Sequence, residues 1–428
     1  MRAAGRSRAL ARLLGIAAAA ALAGNIRAQD SPPEYELPPI RYSHAKPHDA
    51  VARLVAGVAD GEVTLRGSDK EILRTVLREL DIPVESQVVV FSKTSLQVGL
   101  IQPSHPRAIY FSDSVYVGWV PGALVEAAAV DSELGPIFYA FDPDDARDKR
   151  RTFVREGTCL RCHGGSLSPD IPGLFTRSLV TAKSGEPLED QGLERVDDTT
   201  PFAHRWGGWY VTGYSGSEDH RGNAFGTVRD GRIEFQPSDA RPTELSGFFD
   251  ISQYLTGTSD ILALMVLEHQ TAMHNSLTRA TQRMREGLAA SDSGAAARLA
   301  AIVESSAQDV LDHLLFRGAA PLPDNIGGSE AFRRVFAARA LRSKGGDSLR
   351  DFSPRGRLFA NRCSFLIYSD AFSALPSPIK EKVLTRLGAV LRGADASERY
   401  AYLGGDERRR IREVLDDTMP EARDASNR

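Results

Sequence analysis

Three residues within five positions carry the clearest chemistry in this sequence. Cys159, Cys162 and His163 form Cys-x-x-Cys-His inside GTCLRCHGG, residues 157–165. That spacing is the attachment signature of a c-type haem. Two thiols on a tight turn can form thioethers with the two vinyl groups of the porphyrin, and the adjacent imidazole can then ligate the iron. Two other chemistries use the same residue types. A thioredoxin-like redox pair also reads Cys-x-x-Cys, but it normally opens a helix after a strand. Here Gly164, Gly165 and Pro169 follow, which argues against such a helix. A zinc site needs about four ligands, and no second cysteine pair is available. The spacing therefore predicts one covalent haem c, held by Cys159 and Cys162, with His163 as the iron ligand.

The sixth iron ligand is less direct. The chain has five methionines, and none falls between His163 and Met265, which excludes a compact His/Met cytochrome in that interval. His204 and His220 are the nearby candidates. In the run 260–286, Met265, His269 and Met273 recur every four residues and so share one helix face. The sequence points to His269 as a second metal ligand, with Met273, His220, His204 or no residue at all as the alternatives. The competing reading makes Met265 and Met273 core residues and His269 a satisfied buried histidine. Arg205-Trp206-Gly207-Gly208-Trp209-Tyr210 combines a cation, three aromatics and two glycines. Trp206 is expected against the porphyrin, with Arg177 or Arg205 pairing a propionate. Cys363 lies in the apolar FANRCSFLIYS and reads as an inert buried thiol.

The segment GTCLRCHGG resembles the haem-binding segment of c-type cytochromes. With VVVFSKTSLQ, PRAIYFSDSVYVGWV, RWGGWYVTG and CSFLIYS, it makes the chain similar to a poorly characterised family of large exported bacterial cytochrome c domain-containing proteins with one haem. The resemblance covers most of the chain after residue 28. It implies haem binding and electron transfer and names no substrate.

The elements around this motif follow from periodicity. From His48 to Ile82 the apolar spacing is helical. From about Ser86 to Val228, short β-branched and aromatic runs alternate with turn residues, the pattern of antiparallel strands. Helices are predicted over 260–286, 295–316, 329–342, 378–392 and 406–417. The expected fold is α+β: N-terminal helices, a central, mostly antiparallel β/loop region carrying the haem, and a helical C-terminal region. Expected boundaries are a proline-rich extended linker at 29–47, a haem-binding region at 48–250, a helical region at 251–418 and a disordered tail at 419–428.

Residues 1–28 read as a signal peptide, with four arginines before the apolar run Leu13 to Ala23. Eleven apolar residues fall short of the about 20 needed to span a bilayer. Removing this leader shifts the formal net charge from −3 to −8, which disfavours nucleic acid and anionic membranes as partners. The expected protein is periplasmic and works with a redox partner protein. Three functions compete: an electron carrier, a haem enzyme with an open sixth site, and a haem-based redox or gas sensor. A carrier needs only about 100 residues, so most of the 428 are left without a role.

Overall fold

The computed structural model describes residues 32–422 apart from 144–150, 166, 169, 189–192, 354 and 396. The expected signal peptide at 1–28 lies outside the described residues. Two N-terminal helices come first. α1 (Ala50–Ala59) begins where the Asp49 carboxylate accepts the Val51 and Ala52 N–H groups. α2 (Asp69–Glu79) begins with a reciprocal capping box between Ser68 and Glu71. Its stripe of Ile72, Leu73, Val76 and Leu77 is buried.

The central layer is a seven-stranded sheet in the order β6-β5-β4-β3-β2-β1-β9, antiparallel throughout. Its strands are β1 (Val88–Val90), β2 (Arg107–Phe111), β3 (Val115–Trp119), β4 (Val125–Asp131), β5 (Gly135–Phe141) and β6 (Val154–Arg155). The helical turn α3 (Leu160–His163) follows, then the pair β7 (Thr176–Ser178) and β8 (Leu193–Val196), and then β9 (Trp209–Tyr210), which returns to pair with β1. β10 (Gly226–Arg229) and β11 (Arg232–Phe235) form a separate hairpin.

Period-two alternation sends successive side chains to opposite faces. Val89, Tyr110, Val117, Ala127 and Tyr139 pack towards the N-terminal helices. Val88, Phe111, Tyr116, Ala128 and Phe138 pack towards the C-terminal ones. Both sheet faces are covered, so the strands read as near-continuous apolar runs rather than half-polar ones.

The C-terminal layer is built on α4 (Ile261–Ala289), capped by the Asp260 carboxylate accepting from Leu262 N and Ala263 N. Most of its circumference is buried. Buried amides tie it to the sheet loops: Gln270 donates to Ser112 O and Gln282 to Leu134 O. α5 (Ala295–Leu314) packs on α4 and on α8, with α6 (Glu330–Ala338) and α7 (Asp370–Ser373) flanking α4. α8 (Ser377–Arg392) and α9 (Gly405–Thr418) close the layer. The chain is α+β, as the periodicities predict. No helix among the described residues is long and apolar enough to cross a membrane.

Three boundaries differ from expectation. Residues 32–47 are not an extended linker: Tyr35, Ile40 and Tyr42 are buried, and the Tyr42 hydroxyl donates to Pro136 O at 2.6 Å. Aromatic anchoring outweighs the proline signal there. No core boundary falls near residue 250, because one apolar cluster runs from Val88 to Ala422 through the sheet and α4. At the C-terminus Met419 and Ala422 are buried in that cluster, so residues 419–422 are not part of the disordered tail expected at 419–428, the rest of which lies outside the described residues.

Candidate functional site

The Cys159 motif sits on a helical turn between β6 and β7. A 3-10 turn over Gly157–Cys159 runs directly into α3, and the Glu156 carboxylate caps it by accepting Thr158 N at 2.8 Å. This turn places Cys159, Cys162 and His163 on the wall of one cavity of about 550 Å3. That size falls within the ~300–1,000 Å3 usual for cofactor sites. The cavity lies between the C-terminal-facing side of the sheet, which contributes Tyr116, Gly118 and Phe138, and α4, which contributes Leu267 and Thr271.

His163 is oriented before any ligand arrives. Its Nδ1 lies 2.8 Å from Gly173 O, so that nitrogen carries the proton and donates. Nε2 has no hydrogen bond among the described residues and keeps its lone pair. This is the tautomer a metal-ligating histidine needs. The ring is held between Phe138, at a centroid distance of 4.6 Å, and Phe175, at 4.5 Å. Burial pushes its pKa down to about 4, so the imidazole is neutral at pH 7. Gly173 also donates its N–H to His163 O at 2.7 Å, fixing the same residue twice.

The thiols are free and not joined to each other. Cys162 is exposed, and Cys159 is half-buried with its pKa pushed up to about 12 by burial and by Glu126 and Glu156. A redox-active dithiol needs a depressed thiol pKa, so this environment argues against the thioredoxin-like reading. Among the described residues no three His, Cys, Asp or Glu side chains converge on one point, which leaves the zinc reading without a ligand set.

The rest of the wall suits a large flat molecule with an apolar body and acidic edges. Leu96 and Val98 are 46% exposed each and line the cavity, so a ligand there would cover them. Lys93, Arg107, Arg161 and Arg177 line it, with Lys93 paired to Glu186 at 2.8 Å. Arg107 forms a 2.6 Å ion pair with Glu126, lying flat across Gly118 where any Cβ would collide with its guanidinium. The Nε of Arg177 is buried without a hydrogen-bond partner. The residues present therefore fit a haem: two tethering thiols, one preset imidazole, an apolar slot and cations for the propionates.

No protein-family model, curated protein or solved structure matches this chain. The site stands on its own geometry.

Several residues singled out in the sequence lie elsewhere. His269 is not at the cavity. Leu267 and Thr271 face it, and at about 100° per residue position 269 points some 200° away from 267. Both its nitrogens are already used: Nδ1 lies 2.7 Å from Asp198 Oδ2 and Nε2 2.7 Å from Ser364 Oγ. Met273 is fully buried core on the same helix and does not line the cavity. His220 is buried against Trp206 and Phe202, its Nδ1 accepting Gly222 N at 3.0 Å. His204 is exposed.

Arg205 pairs with Glu268 at 2.8 Å, both buried, and so is not a propionate partner. Trp206 packs edge-on to Phe202 in the core, whereas Trp209, three residues later in β9, lines the cavity. Of the two arginines considered, Arg177 is the one at the site. Cys363 is fully buried and its pKa is pushed up to about 12 by burial, in keeping with an inert thiol.

The sequence reading missed Gly173, Phe138, Phe175 and the Arg107–Glu126 pair. Only the Pro172-Gly173 dipeptide ten residues past His163 was a local signal, marking a turn.

Proposed function

We propose that this chain is an exported c-type haem protein that carries one covalently attached haem in the cavity beside Cys159 and moves electrons to and from a redox partner protein. One observation carries the reading. The histidine of a Cys-x-x-Cys-His motif faces a cofactor-sized cavity with its Nδ1 proton committed to Gly173 O and its Nε2 free. Cys159 and Cys162 would tether the ring and His163 would ligate the iron, while Arg177 and Arg161 would meet the acidic edge. When bound, the haem supplies a one-electron iron couple. The protein's share is to hold the imidazole neutral and oriented, to cover the ring with Leu96, Val98 and Trp209, and to exclude bulk water. Periplasmic export accords with the leader at residues 1–28 and with attachment of c-type haem outside the cytoplasm.

A second reading has its own support. Among the described residues, His163 is the only histidine lining the cavity, and no methionine lines it. The sixth position would then be open to an external ligand, which favours a haem enzyme or a gas or redox sensor over a simple carrier.

Expression with the cytochrome maturation machinery tests both. One haem per chain that resists acid–acetone extraction is expected, and chains purified without covalent haem would overturn the proposal. Carbon monoxide added to the dithionite-reduced protein then separates the readings. A shifted Soret band indicates the open site, and an unchanged low-spin spectrum indicates a carrier with a sixth ligand supplied from outside the present wall.

A further inference from the structure

Helix α4 separates two cavities. Leu267 and Thr271 face the Cys159 cavity, while Met265 lines a second one of about 330 Å3. That volume sits at the small end of ligand sites. Phe316, Phe359, Leu322 and Leu358 give this cavity an apolar wall, and Asp198, Arg205, Arg357 and Arg362 give it a polar one.

Behind Asp198 lies an ordered relay. His269 Nδ1 donates to Asp198 Oδ2 at 2.7 Å, and His269 Nε2 meets Ser364 Oγ at 2.7 Å. The order serine–histidine–aspartate matches that of a hydrolase triad. Ser364 is nevertheless fully buried, and its Oγ also accepts Leu366 N at 3.2 Å as a helix cap. Neither Ser364 nor His269 lines the cavity, so no substrate reaches the hydroxyl. What the relay does is hold Asp198. Burial would raise that carboxyl's pKa, but the His269 ring and Arg205 outweigh burial and keep it below the usual range. The backbone is pinned as well: Asp198 O accepts from Arg205 Nη2 at 3.0 Å and from Ala320 N at 2.8 Å. Oδ1 has no hydrogen-bond partner among the described residues, and the side chain is 16% exposed. A fixed, charged acceptor is thus presented at a cavity that also has an apolar wall.

The charge around the cavity is uneven. Arg205 is ion-paired with Glu268 at 2.8 Å. Arg357 and Arg362 share the single carboxylate of Glu407, each at 2.8 Å, so this cluster carries one net positive charge, which Asp198 offsets over the cavity as a whole. Phe316 adopts φ +56°, uncommon for a bulky residue, and in that position its ring stacks on His269 at 4.2 Å.

We propose that this second cavity binds a small aromatic acid bearing a hydroxyl group. The hydroxyl donates to Asp198 Oδ1, the ring packs among Phe316, Phe359, Leu322 and Leu358, and the acid is balanced by Arg357 and Arg362. The site is independent of the haem reading, because none of its groups belongs to the Cys159 cavity.

Isothermal titration of the full chain with 4-hydroxybenzoate, benzoate and phenol tests the assignment. The wild-type protein should bind 4-hydroxybenzoate at least about tenfold more tightly than either analogue, the size of one hydrogen bond to a charged group. Asp198→Ala should bring 4-hydroxybenzoate and benzoate to equal affinity. Leu322→Trp, which fills the cavity from its rim and leaves the relay intact, should abolish binding of all three and excludes uptake by the other cavity. Circular dichroism and thermal melting check that each variant folds, and Leu322→Trp alone decides if Asp198→Ala does not. No binding by the wild type at millimolar ligand, equal affinity for the three probes, or binding unchanged by Leu322→Trp would overturn the proposal.

Discussion

His163 owes its orientation to Gly173. The glycine carbonyl accepts a hydrogen bond from Nδ1, and the glycine N–H donates to the His163 carbonyl. A Cβ at position 173 would collide with Ser168 Oγ and lie 2.8 Å from Ser168 Cβ and 3.1 Å from Asn275 Oδ1. Rotating the Ser168 hydroxyl relieves only the first contact. Asn275 cannot give way cheaply, since it clamps Leu174 through both its N–H and its carbonyl. Gly173→Ala should therefore lower stability by about 1–3 kcal/mol, the usual cost of overpacking. It should also reduce the yield of covalent haem. Urea unfolding and pyridine haemochrome spectra measure the two effects, and a variant equal to wild type in both would show that Gly173 does not set the ring. At this scale the Cys-x-x-Cys-His motif was legible because its chemistry depends on adjacent residues. Gly173, Phe138 and Phe175 were not, since a glycine and two phenylalanines look the same in a turn or a core as at a ligand.

The helices were legible as elements because their signals are local. Asp49, Ser68 and Asp260 each cap where the sequence offers an oxygen just before an apolar-periodic run. Strand β9 was harder: GWYVTGY reads as a full strand, yet only Trp209–Tyr210 pairs with β1 before the chain turns to meet α4. The docking of the β4–β5 hairpin on α4 is decided at Gly135. It holds φ +79°, and a Cβ there would collide with the Thr278 side chain of α4, whose Oγ1 would be 2.7 Å away. Thr278 is itself buried and donates to His274 O, so it has little room to move. Gly135→Ala combines left-handed strain with a clash between layers and should cost about 2–4 kcal/mol. The denaturation midpoint measures this, and a loss under about 0.5 kcal/mol would mean that the hairpin and helix can separate without penalty.

Across the whole molecule, burial makes stability depend on pH. His220 and His274 are buried in different parts of the structure, and burial pushes each pKa down to about 4. An unfolded histidine takes up its proton near pH 6.5, whereas these rings stay neutral until about pH 4. Between those values the unfolded chain binds more protons, so stability falls as pH falls. Each ring withdraws on the order of 3 kcal/mol by pH 4. Glu268 acts in the opposite sense. Burial raises it to about 7 against the pull of Arg205, so the folded state binds its proton first between pH 7 and 4.5. With His163, whose pKa burial also pushes down to about 4, these depressed histidines outweigh the raised Glu268, and the net effect is a loss on acidification. Urea midpoints at pH 7.0, 5.5 and 4.5 should decline in that order, and a flat or rising series would show that Glu268 dominates.

What the sequence by itself determined is what neighbouring residues can do together: the thiol–thiol–imidazole triplet, the helix caps, the apolar periods and the α+β pattern. What only the tertiary structure decided is which distant side chains meet that triplet. Arg177 and Trp209 reach the cavity while Arg205 and Trp206 turn into the core, although the two arginines are 28 residues apart and the two tryptophans only three. His269 shares a helix with Leu267 and Thr271 yet faces away from the cavity they line. The physical reason is angular. A two-residue step along a helix rotates a side chain by about 200°, and one step along a strand sends it to the opposite face. Composition and spacing name the candidates, but the phase of each element against the sheet settles which ones face the site.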